Sequence, residues 1–169
     1  MAKLIASFQV DHTRIVPGIY VSRRDRVRDG WITTFDIRMK RPNVEPAVHP
    51  NAMHTIEHVV ATYLRNSKFK DHVVYWGPMG CLTGCYFITN TDDEIMPGDV
   101  ERLIRAAFRY MAGYRGEVPG ATPVNCGNYI LHDLAMAKWE AKEFLKRTWK
   151  FTYPKARRIA AQGKVFFDA

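Results

Sequence analysis

Residues 54–58, His-Thr-Ile-Glu-His, constrain this chain most, because they lie in a run, 52–66, with the hydrophobic spacing of a helix. Side chains four residues apart share one helix face, so His54 and His58 can present two imidazole nitrogens to a single metal ion. Glu57 leans over the same patch, and a carboxylate beside a two-histidine site suits metal-assisted proton transfer. The alternative is an amphipathic helix whose two histidines face solvent.

The length and composition indicate one soluble domain. The chain has 169 residues, of which 47% are hydrophobic, enough for a substantial core. No long apolar stretch follows Lys3, and no apolar run approaches the roughly 20 residues that span a bilayer. We therefore expect a soluble, cytoplasmic protein without a membrane partner.

Three cysteines, Cys81, Cys85 and Cys126, are too few and of the wrong parity for a disulfide framework, so we expect free thiols. Cys126 is the best candidate for a third metal ligand, because Asn125 and Gly127 flank it in a loop that ends at a helix. Two histidines and one cysteine with an open fourth position form a catalytic metal geometry. A small buried hydrophobic residue is the alternative interpretation of Cys126.

Cys81 follows Gly80 and stands near Gly84, so substrate can approach its thiol closely. Near a divalent cation such a cysteine could have a lowered pKa and act as a base or nucleophile. The competing hypothesis is a metal cluster of all three cysteines, but the spacing of Cys81 and Cys85 is not typical of zinc sites. We assign Cys85 to packing.

The net charge of +8 is concentrated near the C-terminus, where residues 138–169 hold nine Lys/Arg against three Asp/Glu. A basic segment of this kind can bind nucleic acid or an acidic partner. It has no recognised nucleic-acid motif, so we expect a solvated basic surface and no nucleic-acid partner.

The hydrophobic pattern predicts a single α+β domain over residues 1–169, with an antiparallel β-sheet packed against about three helices and a basic tail at 150–169. Strands are predicted at 19–27, 31–40, 72–76 and 82–89, and helices at 52–66, 99–114 and 130–148. Asp29-Gly30 is the predicted hairpin turn between the first two strands. In the second strand, Arg38 lies on the face opposite the core residues Phe35 and Ile37.

Five blocks of the sequence, in order and at matching spacing, resemble one family, LuxS, the S-ribosylhomocysteine lyases. The blocks are Ser7-Phe8-x-x-Asp11-His12, Phe35-Asp36-Ile37-Arg38, His54-Thr55-Ile56-Glu57-His58, Pro78-Met79-Gly80-Cys81-x-Thr83-Gly84, and Asn125-Cys126-Gly127 with Leu131-His132-Asp133-Leu134. The resemblance implies a LuxS-like α/β sandwich. It also implies cleavage of S-ribosylhomocysteine to homocysteine and 4,5-dihydroxy-2,3-pentanedione, the precursor of a quorum-sensing autoinducer.

The resemblance also implies a role for each matching residue. His54, His58 and Cys126 would bind one divalent metal per subunit, Fe2+ natively, with Zn2+ or Co2+ as substitutes. Glu57 and Cys81 would be the general acid/base pair.

The same resemblance implies that Ser7, His12 and Arg38 contact the substrate across the interface of a homodimer.

The chain departs from the family pattern beside Cys81. Tyr75 stands where an aspartate is usual, and Gly77 stands where a serine is usual.

Two other function classes remain to be tested. In a zinc peptidase with the inverted His-x-x-Glu-His motif, Glu57 would activate water and a late acidic residue, Glu140 or Glu143, would be the third ligand. In a non-catalytic metal-binding or nucleic-acid-binding module, the basic tail would carry salt-dependent binding.

Overall fold

The computed structural model describes residues 10–150, with side chains described as far as residue 147. Ser7 and nearly all of the basic tail predicted at 150–169 lie outside the described residues. Within the described range the chain forms a four-stranded antiparallel sheet and three α-helices, as the α+β prediction required.

A β-hairpin opens the sheet and joins β1 (Gly18–Val27) to β2 (Gly30–Arg38). Gly30 pairs with Val27, so the turn consists of Arg28 and Asp29, one residue earlier than predicted. Neither turn residue has a positive φ. A Cβ on Gly30 would lie 2.5 Å from the carbonyl oxygen of Thr91, so this glycine permits close approach of a neighbouring strand.

The sheet is completed by β3 (Val73–Pro78) and β4 (Gly84–Thr91), in the order β1-β2-β4-β3. All three strand pairs are antiparallel. Both predicted strands here are displaced by one or two residues, and His72 ends a short 3-10 helix, Lys70–His72, instead of starting a strand.

Three helices contribute to the core: α1 (Pro50–Arg65), α2 (Pro97–Gly113) and α3 (Leu134–Lys150). Helix α1 contacts β3 and both other helices. The central buried side chains come from the sheet and from all three helices, and include Phe35, Ile37, Phe87, Ile56, Val60, Leu64, Phe108 and Phe144. The apolar stripe of α1 is therefore core, and the opposite side of the helix carries the histidines.

Helix α3 begins four residues later than the predicted 130–148. The Asp133 carboxylate accepts a hydrogen bond from the Met136 amide at 2.8 Å and caps the helix start. The Asp133 amide donates to the Asn51 carbonyl at 3.2 Å, and His54 contacts the Leu131 carbonyl. Residues 130–133 therefore pack against α1 in a non-helical conformation that periodicity alone does not reveal.

The second face of β2 is polar but buried. Asp36 and Arg38 are each 3% exposed, and Lys40, just beyond the strand, is 5% exposed. Lys40 forms a 2.6 Å ion pair with Glu140 of α3, which satisfies two charges inside the protein. In the described part of the chain, no helix is long and apolar enough to cross a membrane.

Candidate active site

Helix α1 holds His54 and His58 one turn apart. Their Nε2 atoms lie 3.1 Å from each other, and the ring planes are perpendicular, with centroids 4.6 Å apart. Both side chains are half-buried. The spacing of four residues therefore does bring two imidazole nitrogens to one point.

The other ring nitrogen of each histidine fixes its tautomer. Nδ1 of His54 lies 2.8 Å from the Leu131 carbonyl oxygen, and Nδ1 of His58 lies 2.7 Å from that of Pro119. A carbonyl oxygen can only accept, so both Nδ1 atoms carry hydrogen and donate. Both Nε2 atoms then present lone pairs, which repel each other at 3.1 Å unless a cation is shared between them. Histidines that ligate metals have this same outer hydrogen bond.

Cys126 lies beside this pair, in the loop that precedes α3. Its Sγ is 3.4 Å from Nε2 of His54, and the Asn128 amide donates to that sulfur at 3.4 Å. The Cys126 amide donates to the Thr122 carbonyl at 3.0 Å, which shapes the loop. Two imidazole nitrogens and one sulfur are therefore brought together from positions 72 residues apart.

A fourth group, His132, belongs to the cluster, and sequence reasoning gave it no role. Its Nδ1 is 3.2 Å from Oγ1 of Thr55, whose own hydrogen is donated to the Asn51 carbonyl at 2.8 Å. His132 must therefore donate through Nδ1, which leaves a lone pair on Nε2. That Nε2 is buried without a hydrogen-bond partner among the described residues. The four candidate donor atoms all lie within 4.8 Å of one another.

Ring geometry separates His132 from the other donors. Its ring stacks on His54 at 4.3 Å with an interplanar angle of 13°. An imidazole lone pair lies in the plane of its ring, so lone pairs in two stacked planes do not converge on one ion. His54, His58 and Cys126 therefore form the converging set, and His132 lies beside it.

The donor set fits a divalent transition metal. Neutral imidazole nitrogen and thiolate sulfur are ligands that zinc and similar ions accept, and three protein donors leave a position for a substrate. The facing lone pairs of His54 and His58 are the polar atoms that such an ion would satisfy.

A second reactive group, the Cys81 thiol, lies in the turn between β3 and β4 and is exposed. Its Sγ is 3.1 Å from Oγ1 of Thr83 and 3.8 Å from Nη1 of Arg38. Partial burial acts to raise the pKa of Cys81, but the hydrogen bonds from Thr83 and the charge of Arg38 outweigh it and hold the pKa below its ordinary value.

Arg38 is fixed by Asp36 in a bidentate pair, with Nε to Oδ1 at 3.1 Å and Nη2 to Oδ2 at 2.5 Å. Burial raises the pKa of Asp36, and the Arg38 guanidinium opposes that rise. His12 lies near enough for its charge to act on Asp36, and its Nδ1 is 2.9 Å from the Val10 carbonyl. His12, Arg38 and Cys81 therefore occupy one region, whereas Ser7 lies outside the described residues.

Glu57 is a half-buried residue of α1. Burial is the largest cause of the raised pKa of Tyr75 and of Cys85, and the negative charge of Glu57 is the second. Cys85 is fully buried and its thiol contacts the Met53 sulfur at 3.6 Å, as the packing assignment expected. The alternative cluster of three cysteines is therefore not formed.

Both departures from the family pattern meet at one place in β3. A Cβ built on Gly77 would overlap the ring and hydroxyl of Tyr75. A serine at position 77 is therefore incompatible with the observed Tyr75 side chain, so the two replacements belong together. Their joint effect is to put a phenol near the Glu57 carboxylate.

The two acidic residues that a zinc peptidase could use as its third metal ligand form ion pairs instead. Glu140 is buried in the ion pair with Lys40, and Glu143 pairs with the exposed Lys146 at 2.6 Å. The groups that do lie beside His54 and His58 are Cys126 and His132, neither of which is acidic.

The chain is similar to known proteins over most of its length. Residues 5–153 match the family described as S-ribosylhomocysteinase (LuxS). A Phocaeicola vulgatus protein named S-ribosylhomocysteine lyase is 56% identical over 144 residues, 85% of this chain and 88% of the relative. Proteins of that name from Porphyromonas gingivalis and Clostridium beijerinckii are 52% and 48% identical, and each match covers more than 80% of both chains.

Proposed function

This chain belongs to the LuxS family of S-ribosylhomocysteine lyases. We propose that two parts of its site act together on one substrate: the group of His54, His58 and Cys126, and the thiol of Cys81. The protein is a carbon–sulfur lyase that cleaves S-ribosylhomocysteine. The observation that carries the site assignment is the convergence of two imidazole lone pairs and one sulfur.

His54, His58 and Cys126 would hold a divalent metal, which we propose to be Fe2+, with Zn2+ or Co2+ able to substitute. When bound, the metal supplies Lewis-acid stabilisation of negative charge that develops on the sugar oxygens. The carbonyls of Leu131 and Pro119 keep both histidines in the tautomer that ligation requires.

The reaction needs proton transfers before the carbon–sulfur bond can break. A thioether leaves only when a carbonyl stands two carbons away, so the sugar carbonyl must first migrate along the chain. Glu57 and Cys81 would remove protons from carbon and return them to oxygen or carbon, one position at a time. Loss of the final α-proton then expels homocysteine as its thiolate. The five-carbon product is 4,5-dihydroxy-2,3-pentanedione, the autoinducer precursor, and together the two products contain every atom of the substrate.

The side chains around Cys81 would bind the substrate. We assign substrate contacts to Ser7, His12 and Arg38, and the Nε2 of His132 can accept a hydrogen bond from a sugar hydroxyl. We propose a homodimer with sites at its interface. Arg38 and Cys81 are hydrogen-bonded within one chain, so whichever subunit supplies one of them to a site supplies both.

The inverted-motif peptidase is not favoured, because Glu140 and Glu143 are used in ion pairs and the relatives are lyases. We place the enzyme in the cytoplasm, because three free cysteines, one with a reactive environment, suit a reducing compartment.

The direct test is to load the protein with Fe2+ without oxygen, add S-ribosylhomocysteine and titrate free thiol against time. We expect stoichiometric thiol and a dicarbonyl product, with loss of turnover after chelation. A matched control is Glu101→Gln on α2, which should keep full activity. If the loaded protein releases no thiol but hydrolyses peptides, the lyase assignment is wrong.

A further inference from the structure

The Thr83 hydroxyl lies within hydrogen-bonding distance of both Arg38 and Cys81. Thr83 is 6% exposed, and its carbonyl accepts hydrogen bonds from the Met39 and Lys40 amides at 2.9 and 3.0 Å. The two residues that follow β2 therefore hold Thr83 in place. Leu82, the residue before it, has a φ of +56°, a strained conformation for a side chain of this kind. This bend places Cys81 and Thr83 on the same side of the turn.

The direction of each hydrogen bond follows from donor chemistry. Nη1 of Arg38 lies 2.5 Å from Oγ1 of Thr83, and a guanidinium can only donate. The Thr83 hydroxyl therefore accepts from Arg38 and keeps its own hydrogen for another acceptor. Sγ of Cys81 lies 3.1 Å away, within reach of that hydrogen, and as a thiolate it can only accept. A sulfur that receives a hydroxyl hydrogen here is best satisfied as a thiolate.

The geometry points to Thr83 as a positioning residue that holds Cys81 as a thiolate, by relaying the Arg38 hydrogen bond through its hydroxyl. Asp36 sets the start of the relay, because its bidentate pairing uses Nε and Nη2 of Arg38 and leaves Nη1 for Thr83 and Cys81. This inference deepens the proposed function, in which Cys81 moves protons. It assigns a role to a residue that lies outside the proposed metal ligands and acts through Cys81.

The charged and titratable groups around Cys81 come from two strands and from His12, which precedes β1 and whose charge acts on Asp36. Arg38 and Asp36 lie on β2, and Tyr86 of β4, paired with Asp36, is near enough for the Cys81 charge to act on it. Burial is the main cause that raises the pKa of Tyr86, so this phenol stays neutral when the thiol ionises. Arg38 is the positive group that contacts the thiolate directly.

The test compares Thr83→Val, which removes the hydroxyl, with Thr83→Ser, which keeps it. The rate at which iodoacetamide labels the Cys81 peptide is followed by mass spectrometry across pH, in metal-loaded protein. We expect Thr83→Val to raise the midpoint of this rate profile by about one to two pH units, the effect of losing a hydrogen bond to a charged group. Thr83→Ser should stay near the wild-type midpoint. Turnover should fall in Thr83→Val with KM little changed, and recover in Thr83→Ser.

An unchanged midpoint in Thr83→Val, or an equal rise in both variants, would overturn the relay. If Thr83→Val does not fold, as judged by circular dichroism, Thr83→Ala provides the same comparison with less crowding. The labelling profile does not depend on the lyase reaction. Failure of wild-type protein to cleave S-ribosylhomocysteine would therefore contradict the proposed function and leave the Thr83 result to stand separately.

Discussion

The Nε2 atoms of His54 and His58 lie 3.1 Å apart, although each histidine has given its ring hydrogen to a carbonyl on the far side. Two lone pairs facing each other at this distance are unfavourable by themselves and favourable around a cation. The arrangement therefore prepares the site for a metal before it binds, because neither ring needs to rotate or change tautomer. Cys126 adds a sulfur to the same space.

Replacing His54 with Phe should remove metal binding, whereas His132→Phe should retain it. Phe preserves the ring stack at position 132, and the His132 lone pair does not converge with that of His54. We expect His132→Phe to change metal affinity by less than about tenfold. His54→Phe should exceed the roughly 10–100-fold loss seen for groups that merely support a ligand. Competition with a chromophoric chelator measures both. Equal losses would show that His132 is a fourth ligand.

The variant Glu57→Gln should keep its metal and lose turnover. The amide is nearly isosteric with the carboxylate but cannot take up a proton, so kcat should fall by about 10²–10⁴-fold. Metal content and the folded spectrum should match wild type. Thiol release and metal analysis on the same preparation check this prediction. Normal turnover would remove Glu57 from the proton transfers.

The three cysteines should differ sharply in reactivity. The pKa of Cys81 is lowered, so at neutral pH more of it is thiolate than in an ordinary thiol, and its alkylation should slow only as pH falls through that lowered pKa. Burial raises the pKa of Cys85, which should stay protonated and unlabelled until unfolding. Cys126 should be protected while metal is bound. Peptide mass spectrometry resolves the three sites, and labelling of Cys85 before Cys81 would contradict the structure.

Tyr75 and Gly77 should behave as a coupled pair. Gly77→Ser forces the half-exposed Tyr75 ring from its position, which we expect to cost about 0.5–1.5 kcal/mol of unfolding free energy. In a Tyr75→Asp background the same change should cost almost nothing. Urea unfolding of the four combinations gives the coupling energy. Gly98→Ser, where a Cβ meets no atom within 4 Å, is the matched control. Additive effects would mean that the replacements are independent.

Much of the fold follows from the sequence because its signals are local. The apolar stripe of α1 and the alternation in β2 depend on neighbouring residues, so their faces could be predicted. The start of α3 could not, because residues 130–133 are held by contacts to Asn51 and His54 across the fold. The turn at Arg28 and Asp29 was displaced for the same reason, since Gly30 serves a neighbouring strand.

The candidate site shows the same division. His54, Glu57 and His58 share one helix, so their juxtaposition follows from helical spacing. His132 was missed because it meets the cluster through a hydrogen bond to Thr55, 77 residues away. The burial of Asp36 and Arg38 could not be predicted from the alternation of apolar and polar residues in β2. Alternation distinguishes the two faces of a strand but does not show whether other residues cover the polar face.

The absorption spectrum of cobalt-substituted protein tests whether Cys126 is a metal ligand, because a thiolate bound to Co2+ gives a charge-transfer band that imidazole does not. We expect this band in wild type, in Cys81→Ser and in Cys85→Ser, and its loss in Cys126→Ser. The band should change when S-ribosylhomocysteine is added, since three protein donors would leave a position for the substrate. A band that survives in Cys126→Ser or disappears in Cys81→Ser would contradict the metal site described for this chain.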